Sequence, residues 1–136
     1  MKKLLLIFTL LFSTLMFSTP SYSEWTKVSK SIMGGGTFYV DLERIKKHGG
    51  YVYYWELVDY LKPSPRGTLS VKSYYEIDCK LFREKRLNAS YHKEPMGRVT
   101  PSTSSNVPEK NWQYPPPNSV AETILKRVCS LSELVH

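Results

Sequence analysis

One run of residues constrains this chain more than any other: Tyr51 to Leu61, YVYYWELVDYL. It is dense in aromatic and β-branched residues and holds no Gly or Pro, so it reads as a β-strand. Strand side chains alternate between faces. Tyr51, Tyr53, Trp55, Leu57 and Leu61 share one face with Asp59. Val52, Tyr54, Val58 and Tyr60 share the other with Glu56. Both faces are largely apolar, which places the strand inside a sheet covered on both sides. His48-Gly49-Gly50 before it and Lys62-Pro63-Ser64-Pro65-Arg66-Gly67 after it are turn signals.

Neighbouring segments supply partners for that strand. Glu24 to Ser29 reads as a first strand with Trp25 turned inward, and Thr37 to Asp41 as a second. The Gly34-Gly35-Gly36 between them lacks the Lys-Ser/Thr of a phosphate loop and reads as a hairpin loop. Leu42 to Lys47 reads as one helical turn. Thr68 to Cys79 alternates cleanly, with Leu69, Val71, Tyr75, Ile77 and Cys79 on one face and Lys72, Tyr74, Glu76 and Asp78 on the other. Lys85 to His92 is a last long strand, with Leu87, Ala89 and Tyr91 in phase. Lys80 to Glu84 fits either a turn or a bulge. Lys93 to Asn118 is Pro- and Ser-rich and shows no periodicity. A loop this long in a compact domain is functional or mobile, and Trp112 and Tyr114 are the residues that would hold its end. Ser119 with Glu122 makes a capping box. Val120, Ala121, Ile124, Leu125, Val128 and Leu131 then recur at helical spacing, giving an amphipathic helix from Ser119 to about Leu131. The fold class is α+β: a sheet of about five to six strands with the C-terminal helix packed on one face.

The environment is set by the N-terminus. Lys2 and Lys3 precede an apolar stretch from Leu4 to Phe17, and Pro20 is followed by Ser21-Tyr22-Ser23. This is the pattern of a secretory signal peptide over residues 1–23, cut before Glu24. The apolar stretch is shorter than the roughly 20 residues of a bilayer span. Residues 24–136 then form a single exported domain with no integral membrane span. Losing Lys2 and Lys3 lowers the formal charge from +7 to +5. The cations are scattered, and export argues against nucleic acid as a partner. Cys79 and Cys129, the two cysteines of the chain, are expected to pair in an oxidising compartment. A bond between them would clamp the helix to the buried face of the sheet. No Cys stands at the cut, so a lipid anchor there is not expected. The chain shows neither a CxxC pair nor Cys/His zinc spacing, and calls for no cofactor or metal.

Catalytic patterns are weak. There is no G-x-S-x-G elbow. Glu76 and Asp78 share a strand face at a spacing that could suit a pair of glycosidase acids, but two solvated carboxylates near Lys72 and Lys80 is the better reading. Asn88-Ala89-Ser90 matches a glycan acceptor but lies within a strand. What remains is the aromatic load of ten Tyr and three Trp. Tyr, Trp and Arg are favoured at protein interfaces. Tyr54, Tyr60 and Tyr74, on even-numbered positions beside Lys72, are the candidate binding face, or a face for self-association into a homodimer.

The mature chain also resembles a known family. In order it carries EWTKV at 24–28, FYVDLERI at 38–45, GGYVYYWELVDY at 49–60, YYEIDCK at 74–80, PMG at 95–97, WQYPPPNSV at 112–120 and AETILKRVC at 121–129. This ordered set resembles the surface-adhesin protein E family of Gram-negative bacteria. The resemblance implies an antiparallel sheet flanked by a C-terminal helix, and the Cys79–Cys129 bond. It also implies a non-enzymatic binding protein recognising host surface or extracellular-matrix proteins. A soluble periplasmic protein that binds an envelope protein or inhibits an enzyme is the alternative. The chain would be periplasmic or at the cell surface.

Overall fold

Strand β4 (Tyr51–Tyr60) lies inside an antiparallel sheet, but the helix covers one of its faces and not both as its apolar pattern predicts. The computed structural model describes residues 24–31 and 34–134; the signal peptide read at 1–23 lies outside the described residues. On one side of β4, β1 (Thr26–Lys30) and β2 (Gly36–Val40) form a hairpin, and β2 pairs with the second half of β4. Strand β3 (Lys46–His48) pairs with the first half of β4 along that same edge. On the other side β5 (Ser70–Asp78), β6 (Arg83–His92) and β7 (Thr103–Ser105) follow in order. The sheet thus has seven strands among the described residues, against the five or six expected.

Both extra strands are polar and carry no hydrophobic alternation. The helical turn expected over 42–47 is a 3-10 turn at Leu42–Arg44 followed by β3, whose residues are all exposed. The stretch 93–118 is more ordered than its composition implied. It holds a tight turn at Pro95–Gly97, then β7, then a bridge from Gln113 to Glu84. Backbone hydrogen bonds lay β7 and the Gln113 bridge along the free edge of β6, which offers a ladder to any chain that reaches it. The question left open at 80–84 resolves as a turn. Asp78 Oδ1 accepts from the backbone N–H of Lys80 and of Leu81, and Phe82 takes a positive φ of 53°. A bulge lies further along, where β6 skips Leu87 between its pairings at Arg86 and Asn88.

The helix α1 (Val120–Ser132) begins at Ser119, whose hydroxyl accepts from the Glu122 N–H at 3.1 Å. Its buried stripe is Ile124, Leu125 and Val128, packed with Val40, Ile45, Val52, Tyr54 and Ile77. Cys79 and Cys129 are bonded, with Cα atoms 5.8 Å apart across 50 residues of sequence. Ordering a chain between points that distant is costly, and in the entropy model this crosslink contributes about 4 kcal/mol.

Midway along the covered face sits a polar cluster that sequence alternation did not single out. Tyr54 is fully buried, and its hydroxyl donates to Glu56 Oε2 at 3.0 Å, with Glu84 Oε2 at 3.5 Å. Burial pushes the Glu56 carboxyl up to about 7, offset in part by the Tyr54 bond and Arg86. Glu84 is pushed up to about 8, first by burial and then by the Glu56 charge. One phenol thus sits between two carboxyl groups that cannot both ionise cheaply.

Two outcomes follow. Reduction of the disulfide, or Cys129→Ala, should lower the melting temperature by about 10–20 °C; a melting point that stays put once both thiols are shown free would refute the clamp. The carboxyl pair sets a pH dependence of definite sign. The folded chain holds protons that the unfolded chain releases above the ordinary glutamate range, so stability is full at acidic pH and is lost as pH rises through neutrality. The fall should be about 2–3 kcal/mol for each of the two carboxyls between pH 5 and 7.5. Glu56→Gln keeps an acceptor for Tyr54 and should flatten that slope in urea melts; parallel slopes for both proteins would refute it.

Candidate functional site

The two faces of the sheet have different fates, and the β4–β5 register decides which residue meets which. Val52 pairs with Ile77 and Tyr54 with Tyr75, and these lie under the helix. Tyr53 pairs with Glu76, Trp55 with Tyr74 and Leu57 with Lys72, and these point the other way. No helix covers that second face among the described residues. One end of it is closed by the Pro95–Gly97 turn. There the N–H of Met96 donates to Asp59 Oδ1 at 2.8 Å, and the N–H of Gly97 donates to Ser70 Oγ at 2.8 Å. Gly97, at φ 62°, lies so close to the Lys72 stem that any side chain there would displace it. At this end Leu57 is fully buried.

The rest of the face is open and aromatic. Tyr74 packs on Trp55 with ring centroids 4.8 Å apart and stacks on Tyr53 at 6.0 Å. The Tyr53 hydroxyl donates to Glu76 Oε2 at 2.8 Å; burial first, and then the Glu76 bond, push that phenol up to about 12. Further along, Trp112 crosses over from the segment bridged to β6 and meets Tyr51 at 5.5 Å. The Arg83 guanidinium and the Lys85 ammonium each lie 4.5 Å from the Trp112 ring centroid. The expectation that Trp112 holds the end of the long loop is met by this contact, whereas Tyr114 is 63% exposed. Two hollows flank the aromatic row. One, of about 380 Å³, is bounded by Lys46, Lys47, His48, Tyr53 and Tyr74. The other, of about 140 Å³, is bounded by Trp25, Asp41, Arg44, Trp55 and Lys72.

The four residues read as a binding face do not share one. Tyr74 and Lys72 lie on the open face. Tyr54 is in the core, and Tyr60 lies half-buried on the helix side, beyond the end of the helix packing. The correction has a simple cause. The β4–β5 connection pairs even-numbered residues of β4 with odd-numbered residues of β5, so Tyr54 and Tyr74 point in opposite directions. The residues beside Tyr74 are Tyr53 and Trp55, which alternation places on the odd face of β4, apart from the candidate set. Trp112 had no alternating context to place it. The Glu76–Asp78 pair is otherwise engaged: Glu76 holds Tyr53, while Asp78 closes its turn and accepts from Arg83 Nε at 3.0 Å. No group of three or more metal-binding side chains occurs among the described residues.

This surface presents packed aromatic rings on paired strands, with the Arg83 and Lys85 side chains held over Trp112. Solved structures of Haemophilus influenzae protein E superpose with TM-scores of 0.57 for crystal form II and 0.55 for the protein from a non-typeable strain. Identities are 17% and 15%, over 82% and 86% of this chain and 91% and 82% of those chains. At such identity the likeness is one of fold. Comparison with curated proteins finds no match. The model of the surface-adhesin protein E family, however, matches residues 25–130, and the chain belongs to that family.

Proposed function

We propose that this protein is an exported, non-enzymatic adhesin-like binder, and that the open sheet face recognises a host surface or extracellular-matrix protein. The observation that carries the reading is the row Tyr53–Tyr74–Trp55, stacked on a rigid sheet and left uncovered by the helix. Aromatic side chains give large contact area at little cost in conformational entropy. Strand pairing on both sides of β4 fixes their spacing before any partner arrives. Lys46, Lys47 and Lys72 edge the hollows beside the row and Arg83 and Lys85 lie over Trp112, outnumbering the Glu76 carboxylate at Tyr53, which favours an acidic patch on the partner and speeds encounter. Family membership supports the same class of function.

Binding of the purified protein to immobilised matrix proteins and to host cells tests it. Trp55→Ala with Tyr74→Ala should weaken binding by about tenfold or more, as central aromatic anchors do, with the circular dichroism spectrum unchanged. Binding of full strength in a folded double variant would sink the assignment of this face. Capture of endogenous envelope proteins alone, with no affinity for matrix or cells, would turn the reading to a soluble periplasmic partner-binding protein.

A further inference from the structure

The helix side of the sheet is not closed along its whole length. Beyond the reach of α1 lies a cavity of about 680 Å³, floored by Tyr60, Val71 and Tyr91 and edged by Lys62, Arg66 and Lys93. The three cations come from two separate segments that the fold brings to one mouth. Lys62 and Arg66 stand on the turn after β4, and Lys93 follows β6. That turn is braced from within. The N–H of Ser64 donates to the Thr68 carbonyl at 2.9 Å, and the N–H of Gly67 donates to the Ser64 carbonyl at 2.8 Å. The N–H of Thr68 donates to Ser64 Oγ at 3.1 Å, and Pro63 and Pro65 restrict the backbone further. The Leu69 N–H donates to the His92 carbonyl at 2.8 Å, which fixes the start of the Lys93 segment beside the turn.

We infer that this cavity is a second binding site, separate from the open face, and that it takes an acidic saccharide bearing carboxylate or sulfate groups. The described lining residues include three cations and no carboxylate, so the site selects for negative charge. Its volume falls in the range of pockets that enclose a small organic ligand and far exceeds what a single inorganic anion fills. Tyr60 and Tyr91 offer ring faces for the C–H surface of a sugar. The hydroxyls of Thr68 and Thr103 at the wall offer partners for sugar hydroxyls. Arg66 supplies a planar fork suited to carboxylate or sulfate, with Lys62 and Lys93 as point charges. All three cations are exposed and can swing onto a ligand without breaking an ion pair found in the fold.

Titration calorimetry of the purified protein decides this. A heparin-derived tetrasaccharide carries both sulfate and carboxylate, an oligogalacturonate of the same length carries carboxylate alone, and a neutral cello-oligosaccharide carries neither. At least one acidic oligosaccharide should bind, and the neutral one should not. The exposed pair Arg66→Ala with Lys93→Ala should weaken binding by about tenfold or more. Lys46→Ala with Lys47→Ala, on β3, should leave it unchanged. The Trp55→Ala/Tyr74→Ala protein should bind the saccharide normally, so loss of the open-face function and loss of this one are distinguishable. Three results would overturn the inference: no acidic saccharide bound at millimolar concentration, equal loss in the β3 variant, or inorganic sulfate bound as tightly as the saccharide.

Discussion

The pairing of β4 with β5 is the constraint on which the rest depends. Eight residue pairs in register, from Val52 with Ile77 to Asp59 with Ser70, sort a run of aromatics into two populations. Tyr54 and Tyr75 stack at 5.4 Å beneath the helix, while Trp55 and Tyr74 meet at a tilt, 4.8 Å apart, in the open. A slip of one residue would turn one strand's set over against the other's, burying Trp55 with Ile77 or Glu76 with Val52 under the helix. The hydrophobic match of Val52 and Ile77 to Ile124, Leu125 and Val128 therefore does more than fill a core. It holds the register that leaves Tyr53, Trp55 and Tyr74 outside, and the Cys79–Cys129 bond ties the helix to the end of β5 where that match is made.

The same face carries a conflict that the fold tolerates. Glu56 stands opposite Ser73 in the middle of the covered face, where an apolar residue would be ordinary. Its carboxyl is buried and bonded to Tyr54, with Glu84 brought near across β5. Replacing such a cluster with apolar residues of similar volume is often neutral or stabilising in other proteins. Its cost here is smallest at acidic pH, where the carboxyls hold their protons. The cluster also marks a boundary: on one side of it lie the helix and the apolar core, and on the other lies the basic cavity floored by Tyr60, Val71 and Tyr91.

Much of this was legible in the sequence, and the parts that were not share a physical reason. The long strands, the capped helix and the pairing of Cys79 with Cys129 all rest on local periodicity or on redox context. So β4, β5 and α1 emerged near their true ends. β3 and β7 did not, because Lys46–His48 and Thr103–Ser105 are held by backbone bonds that no side-chain pattern records. The candidate binding face failed at a different level. Alternation says which residues of one strand share a side. It does not say which side of the next strand they join, since that depends on the pairing of β4 with β5 across the Leu61–Leu69 connection. Parity within the strands groups Tyr54, Tyr60 and Tyr74, and the β4–β5 register separates Tyr74 from the other two. Glu84 shows the same limit once more, since it shares the covered face with Ala89 and Tyr91 because β6 bulges at Leu87.

Length explains why the molecule offers two surfaces. A helix of 13 residues extends about 20 Å, whereas a strand of 10 residues extends about 33 Å. No crossing angle lets one such helix cover the whole of β4. The end held by the disulfide is closed, and the end at Tyr60 is left without a lid. Apolar surface left open there would invite aggregation. Instead the floor is bordered by Lys62, Arg66 and Lys93, which keep it hydrated and give it a charge preference. On the opposite face the arrangement is reversed: the Pro95–Gly97 turn closes the end near Asp59 and leaves the Tyr51–Trp55 end open. The two open regions therefore lie on opposite faces and toward opposite ends of the same strand. A large partner seated on Tyr53, Trp55 and Tyr74 would leave the basic cavity free, so occupation of one site does not sterically require vacating the other.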